Sequence, residues 1–120
     1  MAKIGIIGAG GWGCALAWLL HNNGNQVTVW SALKEEIHML KECHEQKDKL
    51  PGVILQEDME FTVSLAEAIL NKDVLVMAVA SPYIRSIAAR VSHYVKKGQK
   101  IVNVSKGIEE STLMTLTEIL

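Results

Sequence analysis

Residues 8–13 read Gly-Ala-Gly-Gly-Trp-Gly, a G-x-G-x-x-G pattern around which the rest of the chain can be interpreted. The pattern follows a short apolar run, Lys3 to Ile7, and opens a stretch with apolar residues at helical spacing. In that context Gly8 permits a tight turn, Gly10 lets the backbone approach a pyrophosphate, and Gly13 lets the helix pack closely on the strand. N–H groups at a helix start also attract phosphates. The pattern therefore predicts a dinucleotide site, and the alternative is a glycine-rich turn that only connects a strand to a helix.

Strands and helices alternate along the rest of the chain. The predicted strands cover Lys3–Ile7, Gln26–Trp30, Glu60–Val63, Val74–Val79 and Ile101–Val104. The predicted helices cover Gly10–Asn22, Leu33 to about Glu45, Leu65 to about Asn71 after a Ser64 N-cap with Glu67 at N3, Ser81 to about Val95, and a last segment that begins near Ser111. Such alternation indicates βαβ units. The predicted fold class is α/β, with a Rossmann-type doubly wound, mainly parallel sheet.

Composition and charge exclude several classes of protein. The chain has 120 residues, of which 49% are hydrophobic and 21% charged, and a formal net charge of −1, so we expect one domain and no nucleic-acid partner. Its two cysteines do not make a disulfide framework, which favours a cytoplasmic location. Residues 4–33 carry no charged side chain, but their glycines and the lack of a small-residue cleavage site argue against a membrane span or a signal peptide.

The choice of cofactor depends on the residues at the end of the second predicted strand. An acidic residue there would hold the adenosine ribose of NAD, but residues 30–32 read Trp-Ser-Ala, and we expect Glu35 and Glu36 to lie too far into the next helix. Without an acid a 2′-phosphate is not repelled, and Ser31 or Lys34 could contact it. Ser31 could equally be a helix N-cap. NADP and NAD are therefore both permitted as cofactors.

Two loops come after the predicted fourth and fifth strands, where open α/β sheets bind ligands. They comprise residues 80–83 and 105–107. Lys106 is the one charged residue directly at a predicted strand end, and its ammonium suits a phosphate, a carbonyl oxygen or a cofactor amide. The alternative is a lysine that faces solvent.

The remaining candidates are weaker. We expect Trp12 to cover the cofactor or to pack beneath it. Cys14 lies near a helix start, where a thiol pKa can fall, but a small buried side chain is the simpler expectation. No metal site is expected from His38, Cys43 and His44, because adjacent residues on a helix point to different sides.

Three segments together resemble the bacterial-type NAD(P)-dependent glycerol-3-phosphate dehydrogenases. They are residues 6–17, which carry the glycine pattern with an aromatic before its third glycine, the Leu-Pro-Gly turn at 50–52, and Val-Ser-Lys-Gly-Ile-Glu at 104–109. The resemblance implies that residues 1–120 are the N-terminal NAD(P)-binding domain, incomplete at its C-terminal end. A helical C-terminal domain would supply the general base and most of the substrate site, so no catalytic residue is expected before Leu120.

The resemblance also implies functional roles. Gly11 and Trp12 would contact NAD(P)H, and Lys106 would contact both cofactor and substrate in the interconversion of glycerol 3-phosphate and dihydroxyacetone phosphate, which supplies phospholipid synthesis. The full-length enzyme would be a cytoplasmic protein, and a homodimer is possible.

The sequence departs from the family pattern at three places. Ser31 and Ala32 stand where a basic residue is usual, Lys49 stands where an aromatic residue is usual, and residues 80–83 replace a Pro-Ser-His or Pro-Ser-Gln run. We therefore assign no role to Lys49 or Tyr83. The alternatives are another dehydrogenase of this plan, such as a ketopantoate reductase or a hydroxyacid dehydrogenase, and a non-enzymatic NAD(H)-sensing domain.

Overall fold

The computed structural model describes residues 2–79 and 84–104. The strands are β1 (Lys3–Ile7), β2 (Gln26–Trp30), β3 (Glu60–Thr62), β4 (Val74–Met77) and β5 (Lys100–Asn103). The helices are α1 (Gly11–Asn22), α2 (Lys34–Cys43), α3 (Leu65–Ile69) and α4 (Ile84–Ser92). The strands form one sheet in the order β3-β2-β1-β4-β5, and every neighbouring pair is parallel. The predicted Rossmann-type fold is confirmed.

Helices cover both faces of the sheet, because alternate residues of the central strands point to opposite sides. Ile4 and Ile6 of β1 belong to one buried cluster, which includes Cys14, Leu16, Ala17 and Leu20 of α1 and Ile37 and Leu40 of α2. Ile7 of β1 belongs to a second cluster, which includes Leu65, Ala68 and Ile69 of α3 and Ile87 and Val91 of α4. Burial on both faces explains why β1 and β4 read as nearly continuous apolar runs.

Several element boundaries differ from the predicted ones. Helix α2 ends at Cys43, because His44 adopts a left-handed conformation with φ 52°. Leu33, the first residue of the predicted helix, is 57% exposed. It is the N-cap residue with extended backbone, so its side chain does not follow the helical spacing of Ile37 and Leu40.

Ser64 as N-cap with Glu67 at N3 predicts a capping box, in which each side chain binds the backbone N–H of the other residue, and the structure confirms one of these two contacts. The Ser64 hydroxyl accepts a hydrogen bond from the Glu67 N–H, at 3.3 Å. The Glu67 carboxylate does not return to the Ser64 backbone. It accepts a hydrogen bond from the Thr62 hydroxyl instead, at 2.7 Å, and that hydroxyl accepts from the Ser64 N–H. The helix ends at Ile69, two residues before the expected Asn71.

None of the helices within the described ranges has the length and apolar character that crossing a bilayer requires.

Candidate functional site

The glycine-rich turn joins β1 to α1 at the carboxyl edge of the sheet. Gly8 has φ 128°, a conformation that L side chains rarely adopt, and its N–H donates to the Trp30 carbonyl at 2.9 Å. Gly10 is the N-cap of α1 with extended backbone. A Cβ at Gly10 would meet only the Lys49 Cδ atom within 4 Å, at 3.8 Å. The backbone at Gly10 is therefore open to a ligand, and the N–H groups of the first helical turn lie beside it.

The other two glycines of the motif are covered by protein. A Cβ on Gly13 would collide with the carbonyl oxygen of Gly8, so α1 can approach the turn only with glycine here. A Cβ on Gly11 would come within 2.9 Å of the Lys49 carbonyl oxygen. The loop before the Leu-Pro-Gly turn therefore lies across the glycine motif, a contact that the sequence did not indicate.

A cleft of about 560 Å³ opens beside Gly10 at the carboxyl ends of β1, β2 and β4. It is lined by Gly8, Ala9, Gly10, Trp12, Trp30, Ser31, Ala32, Leu33, Glu36, Lys49, Ala78, Val79, Ser86 and Ile87. Four predicted site residues, Gly8, Gly10, Trp12 and Ser31, thus share one cleft, whereas Gly11 and Gly13 are not among its lining. The walls are mainly apolar, with a few polar groups near the end of β2, which is typical of a small-molecule site.

A larger cavity, of about 660 Å³, lies near the opposite edge of the sheet. Its lining includes Lys3 and Gln26, the first residues of β1 and β2. Parallel α/β sheets bind their ligands beyond the carboxyl ends of the strands. The smaller cleft beside the glycine turn is therefore the better candidate site.

The carboxylate of Glu36, in the first turn of α2, reaches the end of β2, which corrects our expectation that Glu36 lies too far into the helix. The Ser31 hydroxyl donates to one Glu36 carboxylate oxygen, at 2.7 Å, and accepts from the Leu33 N–H, at 3.1 Å. Side chains of a helix lean towards its N-terminus, so a glutamate in the first turn reaches back to the preceding strand. Ser31 is not the N-cap residue, which is Leu33. An acid therefore does lie at the cleft.

Gln46 connects this carboxylate to the glycine turn. Its side-chain amide donates to the Ala9 carbonyl at 2.6 Å and to the second Glu36 oxygen at 2.9 Å. Gln46 is 1% exposed, although it belongs to the loop after α2. Lys49 of the same loop places its ammonium 3.6 Å from Glu36. Sequence reasoning missed Gln46, because a polar loop residue carries no sign that it is buried.

Two tryptophans form part of the cleft wall. Trp12 is 38% exposed and lines the cleft. Trp30 is buried, and its indole N–H donates to the Val63 carbonyl at 2.9 Å. The Arg90 guanidinium lies 5.7 Å from the Trp30 ring centre. Trp30 is therefore held from two sides, whereas the more exposed Trp12 ring is the better reporter of a ligand.

Cys14 is a buried structural residue. Its side chain has no exposed surface, and its thiol donates to the Ala9 carbonyl at 3.3 Å. Burial, assisted by the negative charge of Glu36, raises the pKa of the Cys14 thiol from 9.0 to about 12. The thiol is therefore protonated at neutral pH. Because the folded pKa is the higher one, its contribution to stability is lost as the pH rises from about 9 towards 12.

We expect a thiol reagent at pH 8 to modify one cysteine of the native chain rapidly. Cys43 is exposed, whereas Cys14 is buried and protonated, and only a thiolate reacts. Stopped-flow absorbance with a disulfide reagent measures the fast thiols, and denaturant should release the second. Cys43→Ser should remove the fast phase. Two fast thiols in the native protein would contradict the burial of Cys14.

Some candidates lie elsewhere or outside the described residues. His38 is on the exposed side of α2, 3.7 Å from Glu42, and His44 packs edge-on against Phe61, with ring centres 5.5 Å apart. Across residues 2–79 and 84–104, no three His, Cys, Asp or Glu residues are grouped as metal ligands would be. Lys106 and Tyr83 fall outside the described residues.

Comparisons with known proteins identify one family over nearly the whole chain. A family model described as the NAD-dependent glycerol-3-phosphate dehydrogenase N-terminus matches residues 3–120. A relative from Agathobacter rectalis, named glycerol-3-phosphate dehydrogenase (NAD(P)+), is 53% identical over 99% of this chain and 35% of its own length. One from Fusobacterium nucleatum with the same name is 51% identical over 100% of this chain and 36% of its own.

A crystal structure of glycerol-3-phosphate dehydrogenase from Coxiella burnetii has the same fold, with a TM-score of 0.83 at 22% identity. The match covers 98% of this chain and 37% of that one. The chain thus spans about a third of the length of the curated relatives it matches. The family match over residues 3–120, with a Rossmann-type sheet and an open glycine turn, shows that the chain belongs to the family of NAD-dependent glycerol-3-phosphate dehydrogenase N-terminal domains.

Proposed function

We propose that this chain is the cofactor-binding part of an oxidoreductase that interconverts sn-glycerol 3-phosphate and dihydroxyacetone phosphate with NAD(P)(H). The main support for this proposal is the open backbone at Gly10 beside an apolar cleft, in a chain that belongs to the glycerol-3-phosphate dehydrogenase N-terminal family. We further propose that the reaction takes place in the cytoplasm and supplies glycerol 3-phosphate for phospholipid synthesis. The free thiols of Cys14 and Cys43 support a reducing compartment. The homodimer stays a prediction.

The residues of the cleft fit a dinucleotide. Gly10 presents backbone without a side chain at the N-terminus of α1, where the helix dipole favours phosphate groups, and Gly8 forms the tight turn before it, packed against the Ala78 carbonyl. Apolar surface from Leu33, Val79 and Ile87 borders the same cleft and suits a flat aromatic base. We infer that the pyrophosphate is held at the turn and the adenosine between these apolar residues.

The bound nicotinamide supplies the hydride chemistry at C2 of the triose phosphate. This chain binds and orients the cofactor through the glycine turn and Trp12. Lys106 comes after β5, the neighbour of β4 in the sheet, and we propose that its ammonium contacts cofactor and substrate and stabilises negative charge on the carbonyl oxygen. The general base is proposed to lie outside this chain.

A paired titration with NADH and NADPH, followed by tryptophan fluorescence, tests the cofactor site. Trp12 and Trp30 line the cleft, whereas Trp18 of α1 is not among its lining residues. We expect saturable quenching that persists in Trp18→Phe and falls in Trp12→Phe. Absence of saturation with this chain alone would mean that a further domain is needed to close the site or that the glycine motif is only a turn, and absence of saturation in the folded full-length protein would leave only the second explanation.

Turnover assays with different substrates distinguish the proposed reaction from those of other dehydrogenases. We expect the full-length protein to oxidise NAD(P)H with dihydroxyacetone phosphate, and this 120-residue chain alone to bind the cofactor without turnover. Turnover with ketopantoate or a 2-oxo acid instead would identify another dehydrogenase. Saturable binding with no turnover of any of these substrates by the full-length protein would identify a nucleotide sensor.

A further inference from the structure

We propose that Glu36 makes this protein select NAD(H) over NADP(H), by accepting hydrogen bonds from the adenosine ribose hydroxyls and repelling a 2′-phosphate. This inference rests on the proposed function, since it concerns the same cofactor cleft. It reverses the interpretation of residues 30–32, which contain no acid and leave NADP open. Glu36 lies in the first turn of α2, and its carboxylate reaches back to Ser31 at the end of β2, where the strand itself supplies no acidic side chain.

The Glu36 carboxylate is held in place at the cleft wall. Its side chain is 12% exposed and lines the cleft. One oxygen accepts from Ser31 and the other from Gln46, at 2.7 and 2.9 Å. A carboxylate offers about four acceptor positions, so acceptor capacity remains for a ribose hydroxyl. Since the two donors come from different loops, the carboxylate is oriented before any ligand binds, which lowers the entropy cost of binding.

Two neutral donors near the end of β2, the Ser31 hydroxyl and the Leu33 N–H, are already occupied. Ser31, one of the two sequence-based candidates for contact with a 2′-phosphate, uses its one O–H to bind Glu36, and Lys34, the other, is exposed and not among the lining residues of the cleft. The Leu33 N–H, at the N-cap of α2, donates to the Ser31 oxygen. Glu36 lies in the first turn of α2, where its negative charge offsets the positive end of the helix dipole. The start of α2 is therefore a poor phosphate site.

Lys49 reduces this selectivity without reversing it. Its ammonium lies 3.6 Å from Glu36, and its side chain is 56% exposed. A 2′-phosphate that Lys49 contacted would still lie beside the negative charge of the Glu36 carboxylate. Like charges at such distances repel strongly where water is partly excluded, because the effective dielectric constant is lower there than in bulk water. A ribose diol leaves the Glu36–Lys49 pair intact.

The local hydrogen bonds around Glu36 recur where β3 joins α3. This repeat shows which contacts of Glu36 only start a helix and which are particular to the cleft. Thr62, Ser64 and Glu67 repeat the pattern of Ser31, Leu33 and Glu36. A hydroxyl at a strand end and a glutamate five residues later thus form a way to start a helix in this fold. Only Glu36 adds contacts to Gln46 and Lys49 and a position on the cofactor cleft.

The test compares dissociation constants for NADH and NADPH in the full-length protein and in Glu36→Gln, by fluorescence titration or calorimetry. In the unaltered protein we expect NADH to bind at least about tenfold more tightly, the effect of one partly screened like-charge contact. Glu36→Gln keeps the size of the side chain and removes its charge, so the preference should fall to about threefold or less, mainly through tighter NADPH binding. Glu35→Gln is the matched control, because it removes the same charge from an exposed position outside the cleft lining and should leave the preference unchanged.

The ratio of the two constants is measured within each variant, so a partial loss of folded protein cancels. Should Glu36→Gln not fold, Glu36→Asp keeps the charge and withdraws it by one methylene, and NADH binding should weaken several-fold. Equal or tighter NADPH binding by the unaltered protein would overturn the inference and leave the proposed function intact. So would equal effects of the Glu35 and Glu36 variants, or unchanged NADH binding in Glu36→Asp. Binding of neither cofactor would overturn both.

Discussion

Gly13→Ala is expected to lower the free energy of unfolding by about 3 kcal/mol, because the added Cβ would collide with the carbonyl oxygen of Gly8. Both partners are backbone, so no flexible side chain can move away. Helix α1 would have to shift from the sheet, and four of its buried apolar residues belong to the core cluster of that face: Cys14, Leu16, Ala17 and Leu20. Domains of this size have total stabilities of about 5 to 15 kcal/mol, so the variant would lose a large share of its stability.

Urea denaturation followed by far-ultraviolet circular dichroism measures this loss. Gly10→Ala is the matched control within the same turn, because a Cβ there meets only the end of the Lys49 side chain, at 3.8 Å. Its cost should stay below about 1 kcal/mol, the difference between glycine and alanine at an N-cap. If both variants lost the same stability, the close contact between Gly13 and Gly8 would not be the cause.

Gly10→Ala is expected to weaken binding of NADH and NADPH alike, by about 10- to 100-fold, while the protein stays folded. The methyl group would fill the open space at the turn and hold a pyrophosphate away from the N–H groups of α1. Losing one hydrogen bond to a charged group costs about 1.5 to 3 kcal/mol, which corresponds to this range. Fluorescence titration of the full-length protein measures both constants.

Two comparisons make the Gly10 result specific. Because the pyrophosphate is common to both cofactors, the ratio of the two constants should not change, in contrast to Glu36→Gln. Gly98→Ala controls for a loss of stability alone, since Gly98 has φ 98° and is not a lining residue of the cleft, so this variant should lose stability and keep its cofactor affinity. Unaltered cofactor affinity in Gly10→Ala would contradict the assignment of the turn as the pyrophosphate site.

Local patterns were sufficient to predict most of the fold. Continuous apolar runs such as Val74–Met77 identify strands buried on both faces, and glycine, proline and capping residues mark where elements end. Ser64 was recognised as an N-cap because its partner Glu67 lies three residues away. These signals depend on neighbours within one turn of helix, so they can be read from the chain directly.

The residues of the candidate cleft can be predicted only in part. Gly8, Gly10 and Trp12 belong to one short motif, and the motif's place between a strand and a helix is itself a local property. The sequence also placed Ser31 at the end of β2. The prediction that no acid lies near Ser31 was wrong. The direction of a side chain in the first turn of a helix depends on how the preceding strand and loop lead into that helix.

The alternation of strands and helices, the parallel sheet and the glycine turn can all be predicted from the chain, because spacing and glycine placement encode them locally. The packed fold is needed to show that Gln46 is buried between Ala9 and Glu36, and that Lys49 crosses the turn to pair with Glu36. The Gln46–Ala9 contact joins residues that are far apart along the chain. The physical basis of these contacts is the packing of a loop against the sheet edge, and the charge at the candidate cofactor site depends on that packing.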